Sequence, residues 1–267
     1  MQPAGVTPAR MFLATLGRRI ALALPCIAWL AFTATSLVAE QPKPKLGPAA
    51  ISLQQSHEYL QSHPAPDYWA LSPYYVPQPT GSACSLAALT MLLHALRGLP
   101  GDAAGPLVTQ QALLEAVGSK EWAEQTADRG SGVRWDEFEK YLRLSLEAYK
   151  LNTEFEILRP RDASVATLAQ LKQLLIENEA SDADIVLVYF DQGVLTGDWD
   201  GPHISPIAAH DADGGKVLIM DVDRQWYIPY WSSDEALLAA MLHPAPFERG
   251  RLAGETGGLV RVKRKPQ

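Results

Sequence analysis

The pattern of apolar residues in this 267-residue chain changes from helical to strand-like near residue 180. Before that point, periodic apolar residues predict helices after Cys84 and over Thr109 to Val117, Trp135 to Ala148 and Thr167 to Glu179. Beyond it, β-branched and apolar runs predict strands over Asp184 to Phe190, His203 to His210, Lys216 to Val222 and Leu259 to Lys263. Helices followed by strands favour an α+β fold, in which a helical lobe packs on an antiparallel sheet lobe.

Residues 1–39 have the layout of a signal peptide. Three arginines precede the uncharged stretch from Ile20 to Val38, and the small residue Ala39 follows it. A transmembrane anchor is the alternative, since about 20 apolar residues span a bilayer, but Pro25 and the polar Thr33 favour cleavage. We therefore expect a periplasmic or secreted protein with no stable membrane anchor.

The rest of the chain is predicted to contain a lead-in over residues 40–67 and one folded domain over residues 68–267. Within the lead-in, Ser52 to Gln61 predicts a short helix that Ser52 caps. Prolines are then so frequent between Pro64 and Pro79 that no regular helix is expected there.

Charge excludes one class of partner. Removal of residues 1–39 leaves 20 basic and 30 acidic residues, a formal charge of −10. Nucleic acid is therefore not an expected partner. No two histidines or cysteines have the spacing of metal ligands.

Cys84 is the one cysteine that remains after removal of the signal segment. It directly precedes a predicted helix, for which Thr80 and Ser82 are candidate caps. Unsatisfied N–H groups at a helix N-terminus favour a thiolate, the form that attacks carbonyl carbon. The alternative is a small buried side chain, which is what most free cysteines are.

His203 and Asp221 are the candidate partners of Cys84. If Asp211 to Gly215 forms the loop of a hairpin, His210 opposes Lys216 and lies on the face opposite His203. His203 and Asp221 then share a face as diagonal neighbours, about 6–8 Å apart. An aspartate so placed orients the imidazole and stabilises its cation, although an ion pair between Asp221 and Arg224 is an alternative.

Gln78 lies six residues before Cys84. That spacing suits a side-chain amide that donates a hydrogen bond to a developing oxyanion, together with the backbone N–H of Cys84. A polar loop residue without a catalytic role is the alternative. These residues together favour a papain-like cysteine enzyme.

Three ordered blocks resemble the phytochelatin synthase family: Gln78 to Cys84, Gly201 to Ala209, and Val217 to Arg224, followed by Tyr227, Pro229 and Trp231. The resemblance implies a papain-like catalytic domain. It also implies a catalytic triad of Cys84, His203 and Asp221, an oxyanion hole with Gln78, and Arg224 as a substrate-binding residue beside the acidic member.

The resemblance also implies a reaction. Cys84 is expected to cleave glycine from glutathione through a γ-glutamylcysteinyl thioester, which water or a second glutathione resolves. The chain resembles the short bacterial members without a cysteine-rich C-terminal half, so hydrolysis is expected to exceed phytochelatin synthesis. A cadmium or zinc ion is expected only as a thiolate complex with the substrate, and homodimer formation stays open. The alternatives are another papain-like peptidase or amidase, or a non-catalytic thiol or metal-binding protein.

Overall fold

A seven-stranded antiparallel sheet organises residues 43–265, the part of the chain that the computed structural model describes. The strands are β1 (Ala50–Ser52), β2 (Thr153–Leu158), β3 (Asp184–Asp191), β4 (Pro202–Asp211), β5 (Lys216–Ile219), β6 (Tyr230–Ser233) and β7 (Gly258–Arg264). Their order across the sheet is β1-β6-β5-β4-β3-β7-β2. The predicted signal peptide lies outside the described residues.

Nine α-helices are present in the same residues. They are α1 (Glu58–Ser62), α2 (Pro66–Leu71), α3 (Cys84–Arg97), α4 (Gln110–Val117), α5 (Lys120–Gln125), α6 (Trp135–Ala148), α7 (Val165–Glu179), α8 (Gln192–Thr196) and α9 (Asp234–Leu242). Three short 3-10 helices cover Leu53–Gln55, Ser72–Tyr74 and Phe247–Leu252. No helix between residues 43 and 265 is long and apolar enough to cross a membrane.

Each face of the sheet has its own hydrophobic core. Because side chains alternate along a strand, Leu187 and Tyr189 of β3 join the core that contains α3 and α6. Val186 and Val188 point the other way, into the core that contains α7 and α9. The α+β class with an antiparallel sheet is thus confirmed, with helices on both faces of the sheet rather than in one lobe.

The longer predicted elements agree with the structure. Helices α3, α4, α6 and α7 match the predicted ranges within two residues at each end, because each carries a continuous apolar stripe. The exclusion of helix near Pro66 was wrong, since Pro66 starts α2. Proline is tolerated at a first helical position, where its missing N–H has no partner in any case.

The lead-in differs from the prediction. Ser52 to Gln61 forms a 3-10 turn and the separate helix α1 rather than one helix, and Ser52 Oγ contacts the side chain of Gln55 instead of capping a backbone N–H. Strand β1 also pairs with β6, and the compact unit begins at Lys43. Part of the lead-in thus joins the sheet, and the boundary after residue 67 stays a prediction.

Candidate active site

Cys84 is the first residue of α3 and is partly exposed. The predicted caps act elsewhere: the hydroxyl of Thr80 donates to the carbonyl of Thr126, and that of Ser82 donates to the carbonyl of Gly130. The helix therefore begins without a side-chain cap at Ala83. Its first N–H groups stay available, and their partial positive charge lies beside the thiol.

A β-bulge in β4 sets the orientation of His203. At the turn, Asp211 pairs with Lys216 and His210 with Val217. The prediction paired His210 with Lys216, so the observed register differs from it by one residue. Ala208 is then an extra residue, so that Ile207 pairs with Ile219. A bulge of this kind restores the predicted alternation toward His203.

The bulge has opposite consequences for the two histidines of β4. The predicted register is wrong by one residue at the turn, and the extra residue Ala208 shifts the pairing back by one. His203 and Asp221 therefore share a face, as predicted. His210 lies on that same face, contrary to the prediction, and contacts Asp234 with its Nε2 atom 3.2 Å from Oδ1. Without the bulge, a one-residue slip would turn His203 to the opposite side of the sheet.

His203 and Asp221 form a buried hydrogen-bonded pair. His203 Nε2 lies 2.8 Å from Asp221 Oδ1, and the two residues are only 3% and 0% exposed. Cys84 lines the same cleft as His203 and contributes to the raised pKa of the imidazole. Since Nε2 faces the carboxylate, Nδ1 is the ring nitrogen left for the thiol.

Three further donors hold the Asp221 carboxylate. The backbone N–H of Asp223 donates to Oδ1 at 2.8 Å, while Gln192 Nε2 and the hydroxyl of Tyr230 donate to Oδ2 at 2.8 and 3.0 Å. Tyr75 donates its hydroxyl to the backbone carbonyl of Asp221. Sequence reasoning missed Gln192, Tyr230 and Tyr75, although the position of Gln192 directly after a buried strand was a usable signal.

These contacts shift the pKa values of the pair in opposite directions. Burial alone would lower the pKa of His203, but Asp221 and Cys84 together raise it to about 10. Burial would likewise raise the pKa of Asp221, yet the charge of His203 and the donated hydrogen bonds hold it below its ordinary value. The site therefore stabilises an imidazolium next to a carboxylate.

A cleft of about 400 Å³ lies over Cys84 and His203. Gln78 lines this cleft, and its backbone N–H donates to the carbonyl of Val222 at 2.8 Å. Its side-chain Oε1 is buried without a hydrogen-bond partner. Gln78 and Cys84 thus line the same cleft, and the oxyanion role of Gln78 stays a prediction.

Arg224 is placed differently from the other predicted residues. Its guanidinium lies over the ring of Tyr75, with Cζ 4.4 Å from the ring centroid, and donates to the carbonyl of that residue. It is exposed and does not line the cleft. Between residues 43 and 265, no three His, Cys, Asp or Glu side chains form a group that could hold a metal ion.

A thiol at a helix N-terminus, facing a His–Asp pair on an antiparallel sheet, is the arrangement of papain-like cysteine enzymes, and it defines the class of the protein. The family model described as "Phytochelatin synthase" matches residues 49–248, and the chain belongs to this family.

Two individual proteins were also similar. The chain is 28% identical over 204 residues to "Glutathione gamma-glutamylcysteinyltransferase 2" of Arabidopsis thaliana, a match that covers 73% of this chain and 42% of that protein. The chain thus spans less than half the length of this relative. The crystal structure of the Pseudomonas avirulence protein AvrPphB aligns with a TM-score of 0.33 and 13% identity, over 72% of this chain and 98% of that one.

Proposed function

We propose that the protein is a glutathione γ-glutamylcysteine dipeptidyltransferase that acts mainly as a hydrolase. The observation that carries this proposal is the buried pair of His203 and Asp221 beside Cys84, in a chain of the phytochelatin synthase family. The relative in Arabidopsis thaliana bears the name of the corresponding transferase.

In the first step, the Cys84 thiolate attacks the carbonyl carbon of the Cys–Gly peptide bond. Gln78 and the backbone N–H of Cys84 stabilise the oxyanion, and one such donor contributes on the order of 10²- to 10³-fold in rate. As the C–N bond breaks, His203 gives its proton to the amine of the leaving glycine. A γ-glutamylcysteinyl thioester on Cys84 remains.

In the second step, His203 accepts a proton from the acceptor while the acceptor attacks the thioester. Water releases γ-glutamylcysteine, the amino group of a second glutathione releases a phytochelatin, and either restores the thiol of Cys84. The cleft of about 400 Å³ is near the small end of ligand pockets, which favours water once the acyl group is in place.

Two further parts of the proposal concern the surroundings of the reaction. Cadmium or zinc enters as a thiolate complex with the substrate, because thiolates are the ligands that soft metals prefer. The protein acts in the periplasm or outside the cell, on the strength of the signal-peptide pattern in residues 1–39.

Another papain-like peptidase or amidase is the second candidate. The observation that favours it is the acidic lining of the cleft, where Asp198 and Asp223 occur without a lysine or arginine among the described lining residues. Such a lining also suits the N-terminal ammonium of an ordinary peptide.

The test is to incubate the protein and its Cys84→Ser variant with glutathione, with and without cadmium. Free glycine and γ-glutamyl products are followed by mass spectrometry. Glycine release that depends on Cys84 supports the proposal, and the ratio of γ-glutamylcysteine to phytochelatin measures hydrolysis against transfer. Absence of glycine, with Cys84 still open to alkylation, would redirect attention to other peptides.

A further inference from the structure

Two carboxylates line the cleft over Cys84. Asp198 and Asp223 both line it, together with the aromatic side chains of Trp199, Trp226 and Tyr227. The lining includes no lysine or arginine among residues 43–265. A substrate that enters this cleft therefore meets a surplus of negative charge.

The cations nearest to the cleft have partners of their own. Lys45 Nζ lies 3.7 Å from Asp198 Oδ2 and 4.8 Å from the centroid of the Trp226 ring. Arg249 lies behind Trp199, with Cζ 4.0 Å from the ring centroid, and donates to the carbonyl of Asp200. Neither cation forms an ion pair with Asp223, although the charge of Lys45 lowers the pKa of that carboxyl.

Asp223 is the carboxylate that most needs a positive partner. It is half-buried, and no ion pair joins it to a lysine or arginine in the described part of the chain. Burial raises the pKa of Asp223, an effect that the charge of nearby His203 partly offsets. A desolvated carboxylate without a paired cation is costly, and an ammonium group of a ligand relieves that cost.

Asp223 is also fixed relative to the nucleophile. Its backbone N–H donates to Asp221 Oδ1, and the backbone N–H of Gln78 donates to the preceding residue, Val222. The side chain of Gln78 lines the same cleft as Asp223 and lowers the pKa of its carboxyl. A group bound to Asp223 is therefore held at a fixed position relative to the oxyanion donor and to His203.

We propose that Asp223 binds the free ammonium group of the γ-glutamyl residue, so that the cleft selects its acyl donor by this amine and not by the neighbouring α-carboxylate. This inference rests on the proposed function and names the part of glutathione that the site recognises. Asp198 also lines the cleft, but it already has partners. It pairs with Lys45 and accepts a hydrogen bond from the hydroxyl of Tyr227 at 2.8 Å.

Two analogues of glutathione separate the amine from the carboxylate without adding bulk. In glutaryl-Cys-Gly, hydrogen replaces the α-amino group, and in 4-aminobutyryl-Cys-Gly, hydrogen replaces the α-carboxylate. We expect kcat/KM for the glutaryl analogue to fall by about 30-fold or more, because a partly buried charge loses its partner. For the aminobutyryl analogue we expect a change within about threefold, as for a screened surface contact.

The Asp223→Asn variant tests the assignment to a residue. It removes the charge and keeps the size of the side chain, so glutathione and the glutaryl analogue are expected to become equal substrates within about threefold. Asp213→Asn, an equivalent change at an exposed turn position between β4 and β5, is the matched control and keeps the wild-type discrimination. Calorimetry with the Cys84→Ala variant measures binding of the three compounds apart from turnover.

The outcomes distinguish this inference from the proposed function. Glycine release from glutathione, with equal use of the glutaryl analogue, would overturn the inference and leave the proposed function standing. No glycine from any donor would refute the proposed function. In that case, tighter binding of glutathione and the aminobutyryl analogue than of the glutaryl analogue would still support the ammonium site, and equal or absent binding would overturn it.

Discussion

Replacement of Asp221 by asparagine removes one negative charge from the interior of the site and changes little in volume. Asp221 Oδ1 accepts from His203 and from the backbone of Asp223, and Oδ2 accepts from Gln192 and Tyr230. An asparagine has one oxygen and one NH₂ group for these four donors. Whichever way its amide turns, two donors lose an acceptor or must reorient.

The expected loss of activity follows from the contacts of His203. The charge of Asp221 is the largest of the effects that raise the pKa of His203 to about 10, against an ordinary value of 6.5. Without it, burial favours the neutral ring, and an NH₂ group facing Nε2 selects the tautomer with the proton on Nδ1. That tautomer cannot accept the thiol proton, so we expect kcat/KM to fall on the order of 10³-fold.

The assay combines turnover with thiol reactivity. Initial rates of glycine release from glutathione are measured for both proteins, and alkylation of Cys84 by iodoacetamide is followed from pH 5 to 10. The variant is expected to lose the imidazolium that stands beside the thiol, so its alkylation rate at neutral pH falls.

Asp234→Asn is the matched control for this prediction. Asp234 is as buried as Asp221 and contacts His210 in the same way, but His210 does not line the cleft, whereas His203 does. We expect it to lower stability and to change kcat/KM by no more than a few fold. An Asp221→Asn enzyme within tenfold of the wild-type kcat/KM, with an unchanged alkylation profile, would refute the role assigned to the pair.

Three further predictions concern the same site. Gln78→Ala is expected to lower kcat about 10²-fold with little change in KM, measured by glycine release, and an effect confined to KM would contradict an oxyanion role. Because the pKa of His203 is raised to about 10, its stabilising effect is full below about pH 6.5 and disappears as the pH rises toward 10. The free energy of unfolding in urea should thus decline over that range by up to about 1.4 kcal/mol per pH unit, and the decline should be smaller in His203→Gln. Because Ala208 is the extra residue of the bulge, its deletion should leave Ile207 opposite Ile219 and His203 facing Asp221, so glycine release should persist. A deletion variant that circular dichroism shows to be folded but that releases no glycine would contradict the bulge argument.

The long elements were predictable because their apolar patterns are continuous, as in α6, where Phe138, Leu142 and Leu146 face one core. Short elements were not predictable in this way. Strand β6 covers only Tyr230–Ser233 and depends on pairing with β1 and β5, so its local sequence carries little information. Helix α9 was missed although its alanine and leucine content favours a helix.

The site was predictable in its chemistry but not in its surroundings. His203 and Asp221 were placed on one face by a register that is one residue wrong at the turn, and the bulge at Ala208 corrects it. Two consecutive alanines give no sequence signal for a bulge. The charge of the cleft could likewise not be predicted from the sequence, because Lys45, Asp198 and Asp223 come from separate segments of the chain.

The position of β7 in the sheet has a consequence for the order in which the protein folds during synthesis. This strand pairs with both β2 and β3, although it follows every other strand of the sheet in the chain. Until Arg264 has left the ribosome, β2 and β3 each lack a neighbour, and the core around α3 stays open to solvent. We expect ribosome-arrested chains that stop before Gly258 to be digested rapidly by protease, whereas protection of those chains would show that the nucleophile forms its site before the sheet closes. A polypeptide that closes its sheet this late remains incompletely folded until its last strand has been made.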